Sequence, residues 1–177
     1  MRIWTVGHSN RDLDYFIQML RQHHIECLVD VRRQPVSRRF PWFEGDVLRN
    51  HIENAGLRYH FAGVNLGGRR NSVVNSPNIA VKGFWRGYAD HMQTDAFLQS
   101  IGRLKNLAEA MTVAVMCAEG DPDHCHRSMI ADYLYFERVE TIHIIDTETC
   151  RTHTPNPLAR PLTTGIVYDR NQTLSIC

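Results

Sequence analysis

The chain has 177 residues, 43% of them hydrophobic, and a formal net charge of +1. That is enough apolar material for one ordinary core and excludes a wholly disordered chain. The small net charge excludes a molecule-wide field that would gather polyanions.

In chain order, residues 2–6 are a short β-rich run that stops at Gly7. Asn10 or Asp12 then caps a helix over 13–23, whose Leu13, Phe16, Ile17 and Leu20 fall on one face. A second strand covers 27–31. Asp46 opens a helix that runs to 55 and is closed by Gly56, and a third strand follows over 57–62. From Gly63 to about residue 82 the pattern is irregular. Residues 85–92 and 95–110 are helical, the latter with Phe97, Leu98, Ile101, Leu104 and Leu107 on its buried stripe. A fourth strand covers 112–116, a helix 127–136 and a fifth strand 141–145.

This alternation predicts an α/β fold of three layers: a mostly parallel five-stranded sheet with helices on both faces. The preferred strand order is 3-2-1-4-5. It sets the loop after the first strand beside the loop after the fourth, in the kind of crevice where open α/β sheets bind ligands. Residues 1–146 form this domain. Residues 147–177 form a C-terminal β extension packed on it: a proline-rich connection, then two short strands over 164–168 and 173–177 around a turn at 169–171.

Five scattered cysteines are an odd number and no disulfide framework. The N-terminus reads as a strand and not as a signal peptide. No apolar run approaches the about 20 residues that cross a bilayer. A cytoplasmic protein with free thiols and no membrane partner is expected. Neither a P-loop nor a GxGxxG run occurs, so no cofactor is expected, and nothing signals an oligomeric state.

The densest chemistry lies in the fourth strand-to-helix turn. Cys117, Glu119, Cys125, His126, Arg127 and Ser128 fall within twelve residues there. A thiolate is a nucleophile, and a helix N-terminus beside arginine favours it and holds anions. The arrangement resembles the anion loop of cysteine-dependent phosphatases and rhodaneses, although Cys117 and Arg127 stand ten residues apart. Cys117, His124, Cys125 and His126 are also acceptable zinc ligands, but their spacing matches no familiar knuckle, and no metal is expected as the first reading. Asp123 as a helix cap and Cys125 as a small buried apolar group are the structural alternatives. His8 and Ser9, after the first strand, approach Cys117 in the assumed topology, and a histidine beside a thiol activates it. After the second strand come Asp30, Arg32 and Ser37, in a stretch with four arginines followed by Phe40, Trp42 and Phe43. Such a loop can clamp phosphate and stack bases, or simply be solvated. Gly67 and Gly68 permit close backbone approach, with Arg69 and Arg70 next to them. Phe84, Trp85, Tyr88 and Met92 read as core or pocket wall.

Taken together, Gly7-His8-Ser9, Asp30-Val31-Arg32 with Pro35 and Ser37, Leu66-Gly67-Gly68, Phe84 with Tyr88 and Met92, and Cys117-Ala118-Glu119 with Cys125-His126-Arg127-Ser128 carry a family resemblance. Over residues 2–145 the chain resembles the bacterial and archaeal domain of unknown function 488 family. The resemblance implies an intracellular α/β domain and marks those residues as a site, without an agreed activity.

The expectation is an enzyme acting on a phosphate-bearing small molecule, nucleotide or nucleic acid. Cys117 is its nucleophile, His8 and Glu119 its proton carriers, and Arg32 and Arg127 its anion clamps. Ser9, Asp30, Ser37, Gly67, Gly68, Tyr88, Cys125, His126 and Ser128 are the further substrate-binding candidates. The alternatives are a non-catalytic nucleotide or nucleic-acid binding module and a metal-binding protein.

Overall fold

The structure, a computed structural model, describes residues 1–170. The chain runs β1 (Arg2–Gly7), α1 (Leu13–Gln22), β2 (Cys27–Asp30), α2 (Gly45–Asn54), β3 (Arg58–Phe61) and the single turn α3 (Gly63–Leu66). It continues through α4 (Gly83–His91), α5 (Asp95–Ala110), β4 (Val113–Cys117), α6 (Arg127–Phe136) and β5 (Glu140–Ile144). Three short strands follow: β6 (Cys150–Thr152), β7 (Ala159–Pro161) and β8 (Ile166–Tyr168).

The α/β class and the mostly parallel sheet are as expected, but the sheet has six strands in the order β3-β2-β4-β1-β5-β6, not five in the order 3-2-1-4-5. β4 lies between β2 and β1, and the added strand β6 runs antiparallel along β5. The physical reason lies in composition. Val113-Ala114-Val115-Met116-Cys117 carries no charged or hydroxyl residue and is buried throughout, as a central strand must be. β1 opens with exposed Arg2. The adjacency that matters survives: β1 and β4 are neighbours, with Gly7 opposite Cys117.

Strand alternation divides the core in two. Val6, Leu28, Ala114, Met116 and Ile144 face one way and meet Phe16 and Leu20 of α1 and Leu48 and Ile52 of α2. Ile3, Val29, Val113, Val115 and Cys117 face the other way and meet Tyr88 of α4, Phe97 and Ile101 of α5, and Ile130 and Leu134 of α6. Each buried Val, Leu, Ile, Phe or Met among these contributes about 1.5–3 kcal/mol relative to exposure. Asp12 stands at the N-cap of α1 but its side chain makes no cap bond, whereas Thr94 caps α5 by accepting from the Phe97 amide. No described helix is long and apolar enough to cross a membrane.

The C-terminal segment packs on the domain, but its strands differ from expectation. β8 pairs with β7, which lies within the proline-rich connection. The expected strand over 173–177 falls outside the described residues. A buried polar chain joins this segment to the sheet. Thr5 bonds His143 Nδ1 at 2.7 Å, His143 Nε2 bonds His153 Nδ1 at 3.0 Å, and His153 Nε2 bonds Asp132 at 2.9 Å. Asp132 also accepts from the Tyr168 hydroxyl and the Asn156 amide. One proton ordering that satisfies every member runs in one direction: the threonine hydroxyl donates to His143, His143 to His153, and His153 to the carboxylate.

Burial, with His153 and Arg127 nearby, lowers the His143 pKa from 6.5 to about 3. The folded protein thus binds fewer protons here than the unfolded chain. The stability this group contributes is fully present above pH 6.5 and is lost as pH falls toward 3. Urea midpoints should therefore decline through that window in the wild type, and less steeply in His143→Gln.

Candidate functional site

The site is assembled where β1 and β4 end. The ladder continues past both strands, with His8 N bonding Cys117 O at 3.0 Å and Ser9 N bonding Ala118 O at 2.8 Å. The loop passes so close to β1 that a Cβ on Gly7 would lie 1.8 Å from Glu119 O, so only glycine fits. Ser9 takes φ 51°, a left-handed conformation uncommon for residues other than glycine. Above these tips is a cavity of about 800 Å³ lined by, among others, His8, Ser9, Arg32, Ser37, Gly68, Cys117, Glu119, Cys125 and His126.

Strand alternation gives the site two halves. The first stands on the α1–α2 side. The fully buried Asp30 carboxylate takes Arg32 Nη2 at 2.6 Å, Arg32 Nε at 3.0 Å and the Tyr59 hydroxyl at 2.7 Å. Arg32 Nη1 donates to Phe43 O at 2.6 Å and reaches His8 Nε2 at 3.3 Å, while His8 Nδ1 bonds Ser9 O at 2.9 Å. The network assigns the proton to Nδ1. Burial first, then the Arg32 charge, pushes the His8 pKa down to about 4. Both ring nitrogens are engaged and the ring stacks on Phe43 at 4.2 Å between centroids. His8 is therefore held in place in the cavity wall and makes no hydrogen bond to Cys117 among the described residues.

The second half stands on the α4–α6 side. Cys117 Sγ and Cys125 Sγ each lie 3.7 Å from His126 Nδ1, and all three residues are buried. The two thiols are also coupled to each other. The bond between them and burial raise the Cys117 pKa. Cys125 is lowered to about 7 by the bond from Cys117, against burial, with the Arg127 charge and backbone amide adding to the effect. The two shifts run in opposite directions because each thiol is the other's hydrogen-bonding partner. The Tyr88 ring meets His126 edge-on at 5.0 Å, and its hydroxyl donates to Leu66 O. Gly68 lies over the imidazole, where a Cβ would come within 3.1 Å of Nδ1.

Other expected site residues support the cavity without lining it. Arg127 is fully buried and donates to Glu119 O and Gly120 O, which fixes the loop. Its guanidinium is a brace, so the anion clamp expected there is not in the cavity wall. Ser128 bonds Cys125 O at 2.9 Å, and Gly67 packs against Gly63 O and Arg33. Tyr88 and Asp30 lie behind the wall. Asp123 does not cap α6. Asp121 instead caps the short helical turn Pro122–His124, and His126 is the residue before α6.

The cationic groups in the wall include arginines that the sequence marked only as part of a run or beside the glycine pair. Arg33, Arg39 and Arg69 line the cavity, and none has a carboxylate within ion-pair distance among the described residues. Phe40 and Phe84 line it too. Trp42 and Phe43 do not: the Trp42 indole donates to Arg11 O and Phe43 is fully buried. Which arginine of such a run faces inward depends on the loop path, and no periodicity encodes that.

A model of the family described as domain of unknown function DUF488 matches residues 12–134, and the chain belongs to that family. No curated protein and no solved structure is significantly similar to it.

Removing one partner of a buried ion pair leaves the other charge stranded, at a cost of about 3–5 kcal/mol. Asp30→Ala strands Arg32 in this way and also frees the Tyr59 hydroxyl. A stability loss of that order is expected in chemical denaturation, with Asp30→Asn less affected.

Proposed function

We propose that this chain is an enzyme acting on a phosphate-bearing small molecule, nucleotide or nucleic acid. The supporting observation is one of charge and placement. Two thiols and an imidazole form the floor of an open cavity whose wall carries Arg33, Arg39 and Arg69 against a single carboxylate among the described lining residues, Glu119. Arg33 also donates to Arg69 O, but guanidinium forks without a carboxylate of their own suit phosphate oxygens. In this assignment the arginines hold the phosphate, the cysteine–histidine cluster is the reactive centre, and exposed Glu119 carries the proton. Arg32 and His8 shape the wall, since the Arg32 charge is already balanced by Asp30.

Calorimetry with pyrophosphate tests the anion wall. Binding should weaken steeply with added salt, and Arg33→Ala with Arg69→Ala should cost about tenfold or more, one charge-assisted hydrogen bond being worth about 1.5–3 kcal/mol. Turnover is tested on a panel of phosphate mono- and diesters. It should vanish in Cys125→Ser while pyrophosphate binding persists. Binding insensitive to both arginines would refute the assignment.

A second reading, a non-catalytic nucleotide or nucleic-acid module, is favoured by Phe40 and Phe84 in the same wall, because aromatic faces stack bases. Oligonucleotide binding unchanged in Cys125→Ser, with no turnover of any ester by the wild type, selects it.

A further inference from the structure

We infer that Cys117, Cys125 and His126 together hold a divalent cation, zinc by the chemistry of the donor set, with its fourth coordination position facing the cavity. The three donor atoms lie within 4.8 Å of one another, and each sulfur stands 3.7 Å from His126 Nδ1. A tetrahedral centre with Zn–S of about 2.3 Å and Zn–N of about 2.0–2.1 Å sets its sulfur and nitrogen ligands about 3.6 Å apart. The side chains thus already stand close to the edges of that tetrahedron. Three donors spread over ten residues converge because β4 delivers Cys117 while the turn into α6 delivers Cys125 and His126.

The surroundings favour a ligand here over a plain core contact. One imidazole nitrogen is shared by two thiols, which are weak hydrogen-bonding partners for a buried polar atom. Gly68 leaves open the approach to that nitrogen. The Tyr88 ring packs edge-on against the imidazole, whose other nitrogen, Nε2, is buried with no partner among the described residues. Two sulfurs and one imidazole nitrogen are a soft-to-borderline set that selects zinc over calcium or magnesium. On binding, the two thiols release their protons and the thiolates balance the cation. Three protein ligands leave a fourth position for a water or a substrate oxygen, and all three residues line the cavity. That this position faces substrate rests on the enzyme reading above; the ligand trio does not.

The test uses the full chain, purified in reducing buffer without metal-affinity steps, then dialysed against zinc and analysed for bound metal. One zinc per chain is expected. Replacement by cobalt should give thiolate-to-cobalt charge-transfer bands and the visible bands of a tetrahedral centre. Cys117→Ser and Cys125→Ser should each lose the stoichiometric metal, whereas Cys27→Ser and Cys150→Ser should keep it. Absence of bound zinc, a full equivalent retained by Cys125→Ser, or a cobalt spectrum without charge transfer would overturn the assignment. The wild-type spectrum decides alone if a variant does not fold. Pyrophosphate calorimetry on the same samples separates the two proposals. Zinc bound without pyrophosphate binding sinks the enzyme reading and keeps the metal site, and pyrophosphate bound without zinc does the reverse.

Discussion

Guanidinium groups that satisfy loop carbonyls hold the working end of this molecule together. A carbonyl away from water needs a donor, and long loops leave many without a strand or helix partner. Arg127 bonds the carbonyls of Glu119 and Gly120, and Arg11 bonds those of Gly7 and Ile145. Arg32 takes Phe43, Arg70 takes Gly67 and Val64, and Arg86 takes carbonyls between Asn78 and Val81. A guanidinium has five donors in a fixed plane and can bond several carbonyls at once, which an ammonium on a flexible stem does less well. The chain carries far more arginine than lysine, and several of those arginines supply this backbone support.

On that frame the central strand decides which groups can meet. The odd residues of β4 face α4–α6 and the even residues face α1–α2, so Cys117 is delivered to the side where Cys125 and His126 wait. Asp30 leaves β2 on the opposite side and gathers Arg32, Tyr59 and, through Arg32, His8. Both sets reach the cavity, His8 and Arg32 from one side and Cys117, Cys125 and His126 from the other. The separation gives each set its own electrostatics: a balanced ion pair beside a neutral imidazole on one side, coupled thiols on the other.

The far end of the chain is also held by a buried polar hub. Asp132 binds His153, the Asn156 amide and the Tyr168 hydroxyl, and so ties β6, the connection after it and β8 to α6. The β7–β8 hairpin adds Ala159, Ile166 and Tyr168 to the core under α4–α6. These short strands could not stand alone. Their order comes from the body they cover.

Apolar spacing and local punctuation marked nearly every helix and the five parallel strands, because amphipathic period and glycine breaks are local quantities. The helix over Asp95–Ala110 has the limits its stripe indicates. The turn from Cys117 to Ser128 was legible as a chemical site from residue types alone, and so was the family. Strand order was not legible, since it depends on which apolar strand is buried deepest in competition with the others. β6 and β7 were hidden in a proline-rich stretch, where pairing comes from the neighbouring edge and not from propensity. Roles within the site were also settled only in three dimensions. A sequence shows that an arginine, a histidine or a cysteine is present, but burial and partners decide whether the arginine braces a loop or lines a cavity. They likewise decide whether an imidazole is held by its neighbours or left open.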